Sequence, residues 1–239
     1  MLRVLPNFQT PYRINMNNNL AFRGNDETKL PDCINEAVKK YCTTGITPDF
    51  IINKLRKKTD PLRVQHCISV SQKASEIAEE QGLNPEKAAL AGLVHDYAKG
   101  INEEKLLKNA QGNSIPLMPE EKARPSLLHA PVGACLIQEE LGITDPEILN
   151  AVKNHGIGSR NPEEPLFPLD TVLIVADKIE SIKENDTTKD KVAQVLEETG
   201  CPDLAAATAF SSKVASRMEK FQPIDLTYIH NYNNLVTHV

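Results

Sequence analysis

His66, His95, Asp96, His129, His155 and Asp177 are side chains able to bind metal, and all six fall between positions 66 and 177. Imidazole and carboxylate both accept divalent metals of borderline hardness. Four histidines and two aspartates are too many for one tetrahedral zinc and enough for two ions, so the set predicts a two-metal hydrolytic centre. Two divalent ions with two aspartates retain about two positive charges, which suits a phosphate ester. A water shared by two metals about 3.5–4 Å apart becomes acidic enough to attack phosphorus in line, and no serine or cysteine nucleophile is needed. Asp96 is the expected bridge and catalytic carboxylate, because its two oxygens can serve different ions while His95 serves one. Lys99, three residues on, is placed to offer a point charge to a phosphate oxygen, and Arg63, one turn before His66, is placed for a similar role. His230 and His238 read as non-ligands.

These residues need rigid elements to bring them together, and the chain signals helices. Thr47-Pro48, Asp60-Pro61, Asn84-Pro85 and Asp145-Pro146 each put a capping side chain before a proline at the first helical position. Gly82, Gly142, Gly156 and Gly200 supply stops, and no segment alternates like a strand between hairpin turns, so the fold class is all-α. A helix over 60–81 carries Cys67, Val70, Ala74, Ile77 and Ala78 at the helical period, with His66 on the stripe of Val70 and Ile77. The next, from Asn84 to about Ala98, is rich in small residues that allow close helix approach before His95 and Asp96. Thr144 and Glu147 are the expected capping box of a helix whose inward face is Ile148, Ala151, Val152 and His155. The apolar run from Thr171 to Ala176 ends at Asp177, a carboxylate on a buried helix that calls for a cationic partner.

Pro116, Pro119 and Pro125 mark residues 113–126 as a lid or a surface loop. Beyond Glu184, the patterns Val192, Val195, Leu196 and then Phe210, Val214, Met218, Phe221 predict peripheral C-terminal helices that pack against the core rather than hold a cofactor. The expected organisation is a flexible tail over 1–30 and one helical domain over 31–239, with a metal-binding core at about 47–185 and C-terminal helices over 186–239.

With 239 residues, 40% hydrophobic and 25% charged, the chain matches an ordinary globular domain. Its net charge of −5 argues against a nucleic-acid or anionic-membrane surface, which demands clustered Lys and Arg. The five cysteines are scattered with no C-x-x-C spacing and read as reduced thiols. No apolar stretch reaches the roughly 20 residues that span a bilayer, so a cytoplasmic location without membrane partners is expected. Residues 1–25 hold Arg3, Arg13 and Arg23 without an acidic residue, which raises an organelle presequence; with little amphipathic period, a flexible tail is the expectation.

The succession of ligands and their surrounding segments resembles the HD-domain metal-dependent phosphohydrolases, and more closely their bacterial YqeK branch. Those segments are Leu62 to His66, Ala91 to Lys99, Leu127 to Ala134 and Ala176 to Glu180, within roughly residues 47–185. The resemblance implies an HD-domain helical bundle, a di-iron centre, and symmetrical hydrolysis of diadenosine tetraphosphate, a small-molecule nucleotide, to two ADP. It also implies His66, His95, Asp96 and Asp177 around one metal, with Asp96 bridging to a second held by His129 and His155. The ligand types alone accept manganese, cobalt or zinc as well as iron. Two departures fall where substrate would lie. Gly156 to Pro162 replaces the family's Thr and Gly-Arg-Pro-Gly stretch, and Ser181 and Lys183 stand where Pro and Arg are common. Arg160 and Lys183 remain candidates for phosphate oxygens, although a Lys lacks the bidentate grip of Arg. Two other readings share this centre: an HD phosphohydrolase for another nucleotide or phosphate ester, and a metal-stabilised nucleotide-binding module without turnover.

Overall fold

The computed structural model describes residues 30–183 and 186–237, and among them all regular structure is helical. The expected tail over 1–30 lies almost wholly outside the described residues, as does His238. Two short helices, α1 (Ile34–Tyr41) and α2 (Pro48–Lys58), lead into the long α3 (Pro61–Glu80) and then α4 (Pro85–Val94). After α5 (Glu103–Gly112), a single turn of helix α6 (Pro119–Ala123) and a 3-10 turn (Pro125–Leu128) lead directly into α7 (His129–Leu141). Next come α8 (Pro146–Asn154) and α9 (Pro168–Ile179), followed by α10 (Thr187–Thr199), α11 (Pro202–Glu219) and α12 (Leu226–Thr237).

Local chemistry sets the starts. Thr47, Asp60, Asn84 and Asp145 each accept a backbone N–H two or three residues ahead, satisfying first-turn donors that have no partner within the helix. The Thr144–Glu147 capping box does not form, because Asp145 takes the N-cap and accepts from both Glu147 and Ile148. At the other ends, Gly82, Gly142 and Gly200 adopt left-handed backbone. Gly156 does not; the left-handed turn falls two residues later at Gly158, against the side chain of Asn231. Helix α4 ends at Val94 rather than near Ala98. Residues 95–100 instead make tight turns through Tyr97 N–H to Val94 O, Lys99 N–H to Asp96 O and Ile101 N–H to Ala98 O.

Helices α3, α4, α8 and α9 pack on one another and hold the centre of the core. Val70, Leu90, Leu93, Ile148, Val152, Val172 and Leu173 are all fully buried there. Each such side chain contributes about 2 kcal/mol of apolar burial. The contact of α3 with α4 is unusually close: a Cβ on Gly92 would lie 2.6 Å from Ser71 Cα and 2.8 Å from both Ser71 N and Val70 O. Ser71 donates its hydroxyl to Ala89 O at 2.7 Å across the same contact.

Around this core, α11 lies along α9 and pairs with α10 and α12. Val192, Leu196 and Phe210 pack inward as their spacing predicts, but Met218 and Phe221 do not. Phe221 is 98% exposed because α11 ends at Glu219 and the chain turns there with a positive φ. Helix α12 reaches back to the loop after α8: Asn231 accepts from Ser159 N–H at 2.9 Å and donates to Ser159 O at 3.1 Å. His230, expected not to be a ligand, donates from Nε2 to Pro162 O in the same loop.

Residues 113–126 are tied down by an ion pair. Glu121, fully buried, caps α6 by accepting from Met118 N–H at 3.0 Å and pairs with Arg160, whose guanidinium also donates to Pro116 O. Arg160, a candidate for phosphate oxygens, uses one guanidinium nitrogen, Nη2, for both of these bonds, which fasten the segment to the loop after α8. A charged pair removed from water holds only while both partners remain.

Two outcomes follow from these contacts. Gly92→Ala is expected to destabilise the fold by at least about 1–3 kcal/mol, since the clash is with backbone and no rotamer relieves it; an unchanged denaturation midpoint would show that α3 and α4 separate freely. Arg160→Ala leaves Glu121 buried without its cation, at a cost of about 3–5 kcal/mol. Limited proteolysis should then cut within 113–126 much faster than in the parent, whereas a purely substrate-binding Arg160 would leave cutting unaltered.

Candidate metal centre

The four core helices and the start of α7 bring all six predicted ligands into one pocket. His66 is in the second turn of α3, where the buried stripe faces α9. His95 and His155 are the C-cap residues of α4 and α8, and His129 is the first residue of α7. Asp177 is in the last turn of α9. Two helix C-termini therefore end at the pocket, and their partial negative charge favours a cation there.

Each imidazole is oriented in the same way. Nδ1 lies 2.9 Å from Glu180 O in His66, and 2.7 Å from Gly92 O in His95, from Ser126 O in His129 and from Val152 O in His155. A carbonyl oxygen only accepts, so Nδ1 carries the proton in every case and Nε2 of the neutral ring presents a lone pair. In three of the four the acceptor is three residues earlier, a relation set by the local backbone. Second-sphere carbonyls that orient ligating histidines work in this way.

The four Nε2 atoms converge around Asp96. On one side, His66, His95 and Asp96 can each place a ligand atom within 4.8 Å of the others, and on the other Asp96, His129 and His155 do the same. Asp177 joins the first group, with Oδ1 at 3.0 Å from His66 Nε2 and 3.5 Å from His95 Nε2. The two oxygens of Asp96 divide between the groups. Oδ2 lies 3.5 Å from His95 Nε2, whereas Oδ1 lies 3.4 Å from His129 Nε2 and 3.6 Å from His155 Nε2.

This arrangement of electron pairs calls for positive charge. His95 Nε2 and Asp96 Oδ1 are buried without a hydrogen-bond partner, and the Nε2 atoms of His129 and His155 face each other at 3.2 Å. Burial opposes charge on His95, yet Asp96 and Asp177 outweigh it and raise the imidazole to about 10. Burial and the Lys99 ammonium push His129 the other way, to about 3. Burial also works against ionised Asp96, but the surrounding imidazoles, His95 foremost, hold it well below the usual carboxylate range. The donor set and its orphaned atoms thus fit divalent metal on both sides of Asp96.

The two cations predicted beside the centre are present. Lys99 Nζ is 3.0 Å from His129 Nε2 and 3.9 Å from Asp96 Oδ1, and Arg63 donates to Asp96 Oδ2 at 2.9 Å. They stand at the rim: the histidine side chains are nearly inaccessible, while Lys99, Asp177 and Arg63 keep 38, 33 and 21% of their side-chain surface exposed. Lys183 follows α9 in an exposed segment and has no hydrogen bond to the six. Arg160, tied to Glu121, makes none either.

Several supporting groups had no signal of their own in the sequence. The Glu180, Gly92, Ser126 and Val152 carbonyls belong to residues whose side chains play no part. Asn154, next to His155, donates to Asp170 on α9 at 3.0 Å, and Asp170 also accepts from Phe167 N–H at 3.0 Å. Burial raises the Asp170 carboxyl to about 6 despite these bonds. Tyr97, fully buried beside Asp96, donates to Glu140 at 2.9 Å and carries Lys58 over its ring at 3.8 Å. The pairing of Asn154 with Asp170 was unforeseeable from spacing, because it joins two helices.

Comparison with known proteins places this geometry. The HD domain family matches residues 63–182. A Bacillus subtilis protein named "Bis(5'-nucleosyl)-tetraphosphatase, symmetrical" is 34% identical over 177 residues, covering 73% of this chain and 90% of its own length. A Mycoplasma genitalium protein named "Probable nicotinate-nucleotide adenylyltransferase/Ap4A hydrolase" is 32% identical over 151 residues; the match takes in 63% of this chain and only 40% of that longer protein. A crystal structure from Clostridium acetobutylicum, described as a predicted HD superfamily hydrolase involved in NAD metabolism, superposes with a TM-score of 0.72 at 26% identity, covering 81% of this chain and 99% of the other. With the paired His-Asp clusters on the page and half the chain matched, this protein belongs to the HD-domain family.

Proposed function

We propose that this protein is a metal-dependent phosphohydrolase that cleaves diadenosine tetraphosphate symmetrically to two ADP. The observation that carries the chemistry is the division of Asp96: one oxygen faces His95 and the other faces His129 and His155. The substrate follows the Bacillus subtilis relative, whose name specifies symmetrical tetraphosphatase activity and whose length this chain nearly spans.

His66, His95, Asp96 and Asp177 would hold one divalent ion, and Asp96, His129 and His155 a second. When bound, the ions supply Lewis acidity and a water acidic enough to attack phosphorus. Iron is the metal we assign, with manganese, cobalt and zinc compatible with the same donors. The chain's own part is orientation. The four carbonyl-bound Nδ1–H groups keep the Nε2 lone pairs aimed inward, and the buried walls exclude bulk water. Lys99 and Arg63, at the rim, are placed to meet phosphate oxygens as charge builds on them. Lys183 is a further phosphate-binding candidate, and the cleaved ligand is a small nucleotide rather than a nucleic acid. No helix among the described residues is long and apolar enough to cross a membrane, which is consistent with the cytoplasmic location we assign.

A second reading has its own support. Arg160 is engaged by Glu121, and the Clostridium neighbour is described as acting in NAD metabolism, so the same centre would serve a different nucleotide anhydride.

Anaerobic purification with elemental analysis is expected to find close to two metal ions per chain. A panel of dinucleoside polyphosphates and mononucleotides should yield two ADP from diadenosine tetraphosphate; ATP plus AMP would reject symmetrical cleavage, and turnover of another nucleotide alone would select the second reading. Asp96→Ala should lower kcat by more than about a thousandfold, as loss of a group central to transition-state stabilisation does, and should deplete both metals. Normal metal content and rate in that variant would remove Asp96 from the bridging position.

A further inference from the structure

The two clusters around Asp96 are carried by different kinds of backbone. His66, His95 and Asp177 belong to α3, the end of α4 and α9, helices that pack in the core. His129 and His155 each adjoin irregular chain: the 3-10 turn 125–128 precedes His129, and the loop 156–167 follows His155. The acceptor that orients His129, Ser126 O, lies in that turn rather than in a core helix. The ring therefore keeps its direction only while the turn keeps its place.

Three contacts hold these irregular segments together. The loop after α8 backs onto the His129 ring, where a Cβ on Gly156 would lie 3.8 Å from His129 Cε1 and 3.7 Å from Ala130 Cβ. Four residues on, Arg160 Nη2 donates to Pro116 O and to the buried carboxylate of Glu121, both in the segment that leads into the turn. Asn231 of α12, fully buried, pins the same loop from the other side. Its Oδ1 accepts from Ser159 N–H at 2.9 Å, and its Nδ2 donates to Ser159 O at 3.1 Å and to Thr227 O at 2.8 Å. Gly158 makes room for it, with a φ of 83° and no Cβ, which would fall 2.5 Å from Asn231 Cγ.

These ties are not the cheapest way to stabilise a loop. Arg160 Nε and Glu121 Oε1 are buried with no hydrogen-bond partner among the described residues, so the pair gives up hydration that it does not fully recover. Its gain is a defined arrangement, since any other leaves more polar atoms stranded away from water. We infer that Arg160 and Asn231 are positioning residues for the second metal ion, acting through the loop after α8 to keep His129 and His155 facing each other across 3.2 Å. The inference rests on the two-ion reading proposed above and extends the metal centre to α12, whose side chains do not reach the six ligands.

The test uses the full chain, stripped of metal and titrated with manganese by calorimetry and electron paramagnetic resonance. Its variants are Asn231→Ala, the pair Glu121→Met and Arg160→Met, and Arg160→Lys. The Met pair removes both buried charges at once, so no unpaired ion is left to unfold the protein. The parent is expected to bind two ions whose spins couple. In Asn231→Ala and in the Met pair, one binding step should weaken about tenfold while the other holds, as loss of support behind a ligand does. The coupled signal then gives way to that of an isolated ion, and the Met pair keeps the parent's thermal midpoint when metal-free. Arg160→Lys, which can still offer Glu121 an ammonium, should retain both steps. Two parental steps in Asn231→Ala and the Met pair would overturn the inference and leave the two-ion reading standing, as would equal weakening of both steps. A raised KM with unaltered metal binding would overturn it too, by assigning Arg160 to substrate. A parent that binds a single ion would overturn the two-ion reading and this inference together.

Discussion

Four N–H to carbonyl hydrogen bonds decide what this protein can do. Without them each imidazole could present either nitrogen, and a ring that turned its N–H inward would offer the pocket a donor in place of a lone pair. By fixing Nδ1 as the protonated atom in His66, His95, His129 and His155, the backbone builds a cavity lined with electron pairs around one buried carboxylate. Such a cavity is unfavourable unless positive charge enters it. The same demand shows in the opposite displacements of His95 and His129: one is pulled up by aspartates, the other pushed down by burial and by Lys99.

Packing serves that geometry. The backbone contact at Gly92 lets α4 lie against α3 so that His95 ends its helix beside His66; the Gly92 carbonyl then also orients His95. Termination of α4 at Val94, followed by tight turns, puts Asp96 in the middle of the centre and Lys99 at its rim, 3.9 Å apart. Tyr97 anchors those turns from below through Glu140. On the far wall, Asn154 and Asp170 join α8 to α9, fixing the helix that ends at His155 relative to the one that carries Asp177.

The loops that flank His129 and His155 are assembled differently. They are held by long-range polar ties: Arg160 to Glu121, and Asn231 to Ser159. This explains how the loop after α8 can differ from the family pattern while the six candidate ligands stay in place. The helical core does not depend on the sequence of that loop, whereas the shape and charge of the entrance do. Phe221 follows an apolar spacing yet faces solvent, because α11 ends at Glu219 before a continuing helix could turn it inward; Met218, in the last turn of α11, is also exposed.

Much of this was legible in the chain itself. Caps such as Asp60 and Asn84, the stripe of His66 with Val70 and Ile77, and the apolar run ending at Asp177 depend on interactions between near neighbours, so spacing alone determined the helices and which faces turn inward. The six candidate ligands were legible for the same reason: each sits at a helix end or on a buried stripe. Tertiary structure alone decided which oxygen of Asp96 faces which imidazole, and that Arg160 pairs with Glu121. Those pairings join side chains dozens of residues apart, and electrostatic partners at such separations are selected by how helices pack, which no local pattern records.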